Sequence, residues 1–317
     1  MGVDVARILD EHFAEPSAVP SALCDRFHDV YVPMHHNEHI AAAAVTAGEV
    51  RAREAGRWLV RHGTDTCTVT VGLALLAAVG TAEDIPLIQT IGLLSCTFGP
   101  LAARALERLS GGADALTWLA ERVTGWGRVY VVEALCRLVD GHPAVRPWLL
   151  RRAADGGFLN GYFAGQVARV AKLHEAVAAF GDDAELVDHT TRLLHVMTYC
   201  EGMGTSLRRY PHAVTVLEAR VRYLGHLEPT VERYFAAATI AQYLTKETPV
   251  ASDDPGLKAC WEQSRTAYLT LLDQEDWCDT AREGHEAEDA RLTWLAGSVA
   301  PELKLRAFLN DQPSAAE

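Results

Sequence analysis

The chain has 317 residues, 49% apolar and 22% charged, with a formal net charge of −13 at pH 7. That balance belongs to a globular class and excludes disordered and collagen-like chains. So acidic a chain is repelled by phosphate polymers unless its basic residues gather on one face, which argues against nucleic acid as a partner.

Residues 1–62 read as an irregular N-terminal helical cap. Short helices are predicted over 3–13 and 20–30, parted by Pro16 and Pro20, and Pro33 interrupts again. His35-His36-Asn37-Glu38-His39 follows. In a helix, His35, Glu38 and His39 share a face at i, i+3, i+4, a spacing that suits a transition metal. The HExxH order is absent, and no metal is expected. The next helix is predicted over 38–61, with Ala55, Trp58 and Leu59 on one side and Arg53, Arg57 and Arg61, near Arg51, on the other.

Residues 63–245 read as a repeat array. Leu76-Ala77-Ala78-Val79 returns as Leu106-Glu107-Arg108-Leu109, Leu135-Cys136-Arg137-Leu138 and Val167-Ala168-Arg169-Val170. A period of about 30 residues predicts stacked helical hairpins. The first helices are placed at 67–79, 98–109, 125–139 and 157–171, and the second at 83–94, 112–123, 143–153 and 172–180. Gly and Pro stand in the turns between them. Beyond 180 the period weakens, with helices expected over 184–200, 212–225 and 229–245. A linker at 246–255 leads to a C-terminal helical cap, 256–310, with helices over 257–273, 287–297 and 300–309. Asp182-Asp183 and Asp253-Asp254 read as caps or turns, 273–289 as a solvated acidic segment, and the tail from Asp311 as disordered. The fold class expected is all-α, a HEAT-like α-solenoid of stacked hairpins with irregular caps at both ends.

On the helix from Gly125, Trp126, Tyr130, Glu133, Arg137 and Asp140 fall within an arc of about 80°. Valine, leucine and cysteine cover most of the rest. Arg108, Arg137 and Arg169 occupy equivalent repeat positions, and Tyr130 aligns with Tyr162. Stacking turns them into a ladder. It is either a groove for an acidic or aromatic partner or a set of braces between repeats. Arg128 points away from this stripe toward the apolar side, where it needs the end of a helix or a carboxylate such as Asp140 or Asp155.

Gly125-Trp126-Gly127-Arg128, then Val132-Glu133, Trp148-Leu149-Leu150 and Asn160, resembles a bacterial family of HEAT-like helical proteins often labelled limonene hydroxylase. The likeness spans roughly residues 67–220. It implies a HEAT-like fold, importance for Trp126, Arg128 and Glu133, and, through the label, monooxygenase chemistry. Where the family usually carries a hydrophobic residue and His, this chain has Val129-Tyr130. The residues themselves show no haem-ligand Cys, no GxGxxG after a strand and no two-His-one-carboxylate set, so no cofactor is expected and the reading leans away from an enzyme.

Seven cysteines, at 24, 67, 96, 136, 200, 260 and 278, have no paired spacing. Reduced thiols in a cytoplasmic setting are expected, with no secretory signal and no membrane span. The function expected is a scaffold that binds a partner protein or peptide through Arg108, Tyr130, Glu133, Arg137, Tyr162 and Arg169. A second reading is a small-molecule binder or enzyme with an apolar pocket between repeats near Trp126 and Trp148. A third is a HEAT-like DNA-repair glycosylase using the Arg51–Arg61 helix and nearby aromatics.

Overall fold

The computed structural model describes residues 1–179, 183–250 and 254–309. Among them the regular elements are helices, and no strand occurs. None of the described helices is long and apolar enough to cross a membrane. The chain divides into two compact units, Met1–Leu149 and Leu150–Glu317, whereas the sequence reading divides it at 62 and across 246–255.

The first unit contains α1 (Val3–Ala14), α2 (Glu38–Thr46), α3 (Glu49–His62), α4 (Thr66–Val79), α5 (Ile85–Gly92), α6 (Ser95–Glu107), α7 (Gly112–Ala120), α8 (Gly125–Leu138) and the start of α9 (Arg146–Arg152). Short polar side chains set several starts. Asn37 accepts from the backbone N–H groups of His39 at 3.1 Å and Ile40 at 3.3 Å, so α2 begins at Glu38. Asp65 caps α4 by accepting from Thr68 N–H at 2.9 Å. Thr81 and Asp84 form a reciprocal capping box ahead of α5. Two expectations change here. The helix read over 38–61 is two helices, α2 and α3, parted at Ala47-Gly48, and the segment 20–30 is a 3-10 helix, Pro20–Phe27, with Leu23 and Phe27 buried.

In this unit α3 packs along α4, α4 on α6 and α6 on α8, while α5 packs on α7. The alternate helices α4, α6 and α8 are therefore successive neighbours, and so are α5 and α7. Val71, Leu73, Leu75 and Leu76 of α4 are fully buried. Each such side chain contributes about 1.5–3 kcal/mol, which makes α4 the anchor of the unit.

The second unit contains α10 (Ala164–Val170), α11 (Leu173–Ala176), α12 (Ala184–Tyr199), α13 (Ala213–Leu224), α14 (Val231–Lys246), α15 (Pro255–Leu272), α16 (Glu275–Glu286), α17 (Ala290–Ser298) and α18 (Ala300–Leu303). α14 lies at its centre, packed on α12, α15, α16 and α17. Asp183, Thr230, Asp254 and Asp289 cap α12, α14, α15 and α17 through their side chains.

Two corrections arise in the second unit. The helix expected over 157–171 is broken into a 3-10 helix, Phe158–Tyr162, and α10. Buried Asn160 staples the turn that leads into the 3-10 helix. Its Oδ1 accepts from the N–H groups of Asp155 at 2.9 Å and Gly156 at 3.3 Å, and its Nδ2 donates to Asp155 Oδ1 at 2.9 Å. The acidic segment 273–289 is not solvated chain but contains α16, whose Trp277, Cys278 and Ala281 are buried. Its Glu275, Asp276, Asp279 and Glu283 are exposed, so the acids that dominate its composition cover only its outer face. Asp182, Asp253, the end of the 172–180 segment and the tail from Asp311 lie outside the described residues.

Candidate functional site

The stripe of Trp126, Tyr130, Glu133 and Arg137 forms the exposed and half-buried side of α8. A close approach of α6 and α8 positions it. A Cβ on Gly99 would stand 3.0 Å from Tyr130 Cδ2 and 3.6 Å from Gly127 Cα. A side chain at 99 would press on the Tyr130 ring, so the glycine lets that ring lie close against α6.

Trp126 stacks on Tyr130, with ring centroids 5.9 Å apart and planes 23° apart. His35 stands edge-on to Tyr130, at 5.7 Å and 77°. The structure thus takes His35 to the stripe and away from the arrangement weighed for a metal. Because Asn37 starts α2 at Glu38, His35 precedes the helix and does not share its face with Glu38 and His39. His39 lines a separate hollow with Val3, Ala6 and Phe13. Among the described residues no group of three or more His, Cys, Asp or Glu is placed to hold a metal ion.

Glu133 follows Tyr130 by one turn and is half-buried. Among the described residues its carboxylate makes no hydrogen bond and no ion pair. Burial pushes its pKa above the ordinary glutamate range, and the charges of Arg137 and His35 only partly oppose that push. Burial likewise raises the Tyr130 hydroxyl.

Several arginines of the first unit act as braces. Arg137 holds Glu107 with two bonds, Nε to Oε1 at 2.8 Å and Nη2 to Oε2 at 3.0 Å. Arg108 donates to the carbonyl oxygens of Ala77 and, at 2.6 Å, Ala78. Each reaches back 30 or 31 residues, Arg137 to the C-terminal end of α6 and Arg108 to that of α4. Arg53 adds a bond to Val79 O at 3.2 Å. The carbonyls at 77–79 belong to the last turn of α4, where helices leave acceptors open and favour cations. An exposed pair such as Arg137–Glu107 contributes about 0.2–1 kcal/mol. Arg51 and Arg57 are similarly engaged, the first with Phe13 O at 2.6 Å and the second with Asp84 Oδ1 at 2.5 Å.

Buried Arg128 donates to Ala120 O, the C-terminal residue of α7, at 2.6 Å, and its guanidinium lies 5.8 Å from the centroid of the Trp148 ring. Trp148 Nε1 donates to Glu121 Oε1 at 3.4 Å. In the second unit Asn160 is the turn staple described above. Tyr162 ends a 3-10 helix, a different backbone setting from Tyr130 in α8, and Arg169 is exposed near the end of α10.

Glu107, Gly99 and the stripe role of His35 escaped the sequence reading. Glu107 carried a usable signal, because it stands one period before Arg137, whereas the contact of His35 with Tyr130 joins a loop to a distant helix. No family model matches the chain, and neither does a curated protein or a solved structure.

Proposed function

We propose that this chain is a helical-repeat binding protein, with the hairpins of α4 to α8 stacked in HEAT-like fashion, that grips a partner protein or peptide by a cationic side chain. Glu133 is the observation that carries this reading. It is half-buried with its carboxylate unmatched among the described residues, and it shares a helix face with the Trp126–Tyr130 stack. A guanidinium laid over Trp126, itself 38% exposed, gains a cation–π contact of about 0.5–2 kcal/mol. It also brings positive charge to a carboxylate that burial destabilises. Arginine suits the site better than lysine, because a planar group stacks on an aromatic face while donating sideways. The net charge of −13 steers a basic segment toward the chain. Arg108 and Arg137, already engaged, shape the surroundings and do not seek an acidic partner.

Calorimetric titration of the full chain with a hexa-arginine peptide tests this. Trp126→Ala and Glu133→Gln are each expected to weaken binding about tenfold. Glu283→Gln, an exposed acid of α16, is expected to leave it unchanged and so controls for general charge attraction. Equal affinity for the wild-type chain and Glu133→Gln would remove the reading.

A further inference from the structure

A second site, independent of the α8 stripe, lies wholly within the second unit. α12, α14 and α17 line a half-open cavity of about 340 Å³ whose walls include His195, Tyr199, Phe235, Gln242 and Trp294. The aromatic groups form a continuous chain. His195 stands edge-on to Tyr199 at 5.4 Å and 76°, and edge-on to Phe235 at 5.4 Å and 83°. Phe235 meets Trp294 at 5.8 Å and 61°. Trp294 is 49% exposed, a large amount for an indole set against other rings. Such rings present flat apolar faces on which another flat ring stacks.

The charges around the cavity are already matched. Lys246 pairs with Glu302 at 3.0 Å, and Arg208 holds both Glu201 at 2.5 Å and Glu247 at 3.4 Å. Gln242 Nε2 donates to Glu302 at 2.7 Å. Neither ring nitrogen of His195 has a hydrogen-bond partner among the described residues, and neither is sealed away from the cavity or solvent. Burial, aided by the Arg220 guanidinium, lowers the pKa of His195 to about 4. At neutral pH its imidazole therefore offers one N–H donor and one bare nitrogen acceptor. The same burial and the same guanidinium oppose a cation in this cavity, although aromatic walls often attract one.

The geometry points to a binding site for an uncharged, flat N-heterocycle of one or two fused rings, stacked against Trp294 and hydrogen-bonded through its ring N–H to His195. The free heterocycle is the ligand, and the cavity has the size of small-molecule sites.

Indole, 1-methylindole and tetramethylammonium serve as probes, titrated separately into the full chain labelled with ¹⁵N. Indole is expected to bind saturably, moving the Trp294 indole N–H and His195 ring resonances. 1-Methylindole keeps the ring and lacks the N–H, so it is expected to bind about fivefold more weakly. His195→Phe is expected to abolish that preference while leaving stacking. Trp294→Ala changes a half-exposed residue and so spares the core, and it is expected to weaken both indoles about tenfold. Saturable binding of tetramethylammonium in place of indole would overturn the proposal. So would indole affinities that are equal with and without the N–H, or unchanged by Trp294→Ala. None of these outcomes depends on Glu133 or a basic peptide, so the two sites stand or fall separately.

Discussion

Trp277→Ala is expected to destabilise the chain by about 3–5 kcal/mol, the usual cost of truncating a large buried aromatic. Trp277 is 1% exposed and lies against Tyr234 of α14, with ring centroids 6.4 Å apart. Removing the indole leaves a cavity between α16 and the central helix of its unit, where neighbours on several sides limit collapse. Urea unfolding measures the loss. Glu283→Ala, on the exposed face of the same helix, is expected to stay within about 0.5 kcal/mol. Were 273–289 the solvated segment its composition suggests, both substitutions would be silent.

Gly72→Ala is expected to destabilise by about 1–3 kcal/mol, as overpacking does. Its sign makes it informative, since alanine in place of glycine inside a helix ordinarily stabilises by up to about 1 kcal/mol. A Cβ on Gly72 would stand 2.8 Å from Leu59 Cβ and 2.9 Å from the backbone nitrogen of Val60. Backbone cannot retract as the tip of a side chain can, so α3 and α4 must separate. Gly297→Ala in α17 is the matched control, because a Cβ there meets nothing within 4 Å. Thermal unfolding of both variants measures the contrast, with Gly297→Ala expected to be neutral or stabilising.

The all-helical class and most helix positions were legible in the sequence because they rest on local rules. The period returns the first helices α4, α6 and α8, and the 3.6-residue repeat puts Trp126, Tyr130, Glu133 and Arg137 on one side of α8. What escaped depends on contacts that periodicity does not encode. Asn160 holds a turn ahead of a 3-10 helix through bonds from its side chain to the nearby backbone, a local contact that the hydrophobic pattern does not carry. In α16 only Trp277, Cys278 and Ala281 mark the buried face, too few to outweigh the acids around them. His35 reaches Tyr130, and His195 of α12 shares a cavity with Trp294 of α17. Both pairings join distant parts of the chain. The arginine positions were readable and their task was not, because spacing alone does not say whether a guanidinium meets a helix end, a carboxylate or solvent.

The most direct measurement is the titration of the Glu133 side-chain carboxyl by ¹³C NMR, with and without saturating hexa-arginine peptide. In the free chain the midpoint is expected above the ordinary glutamate range, as its burial implies. The unfolded chain then releases this proton at lower pH than the folded one, so the contribution of Glu133 to stability falls as pH rises from the ordinary range through the raised midpoint. With peptide bound, a cation beside the carboxylate is expected to bring the midpoint back down. A free-chain midpoint in the ordinary range, or a raised midpoint that saturating peptide leaves in place, would contradict the assignment of Glu133 as the group that receives the partner's charge.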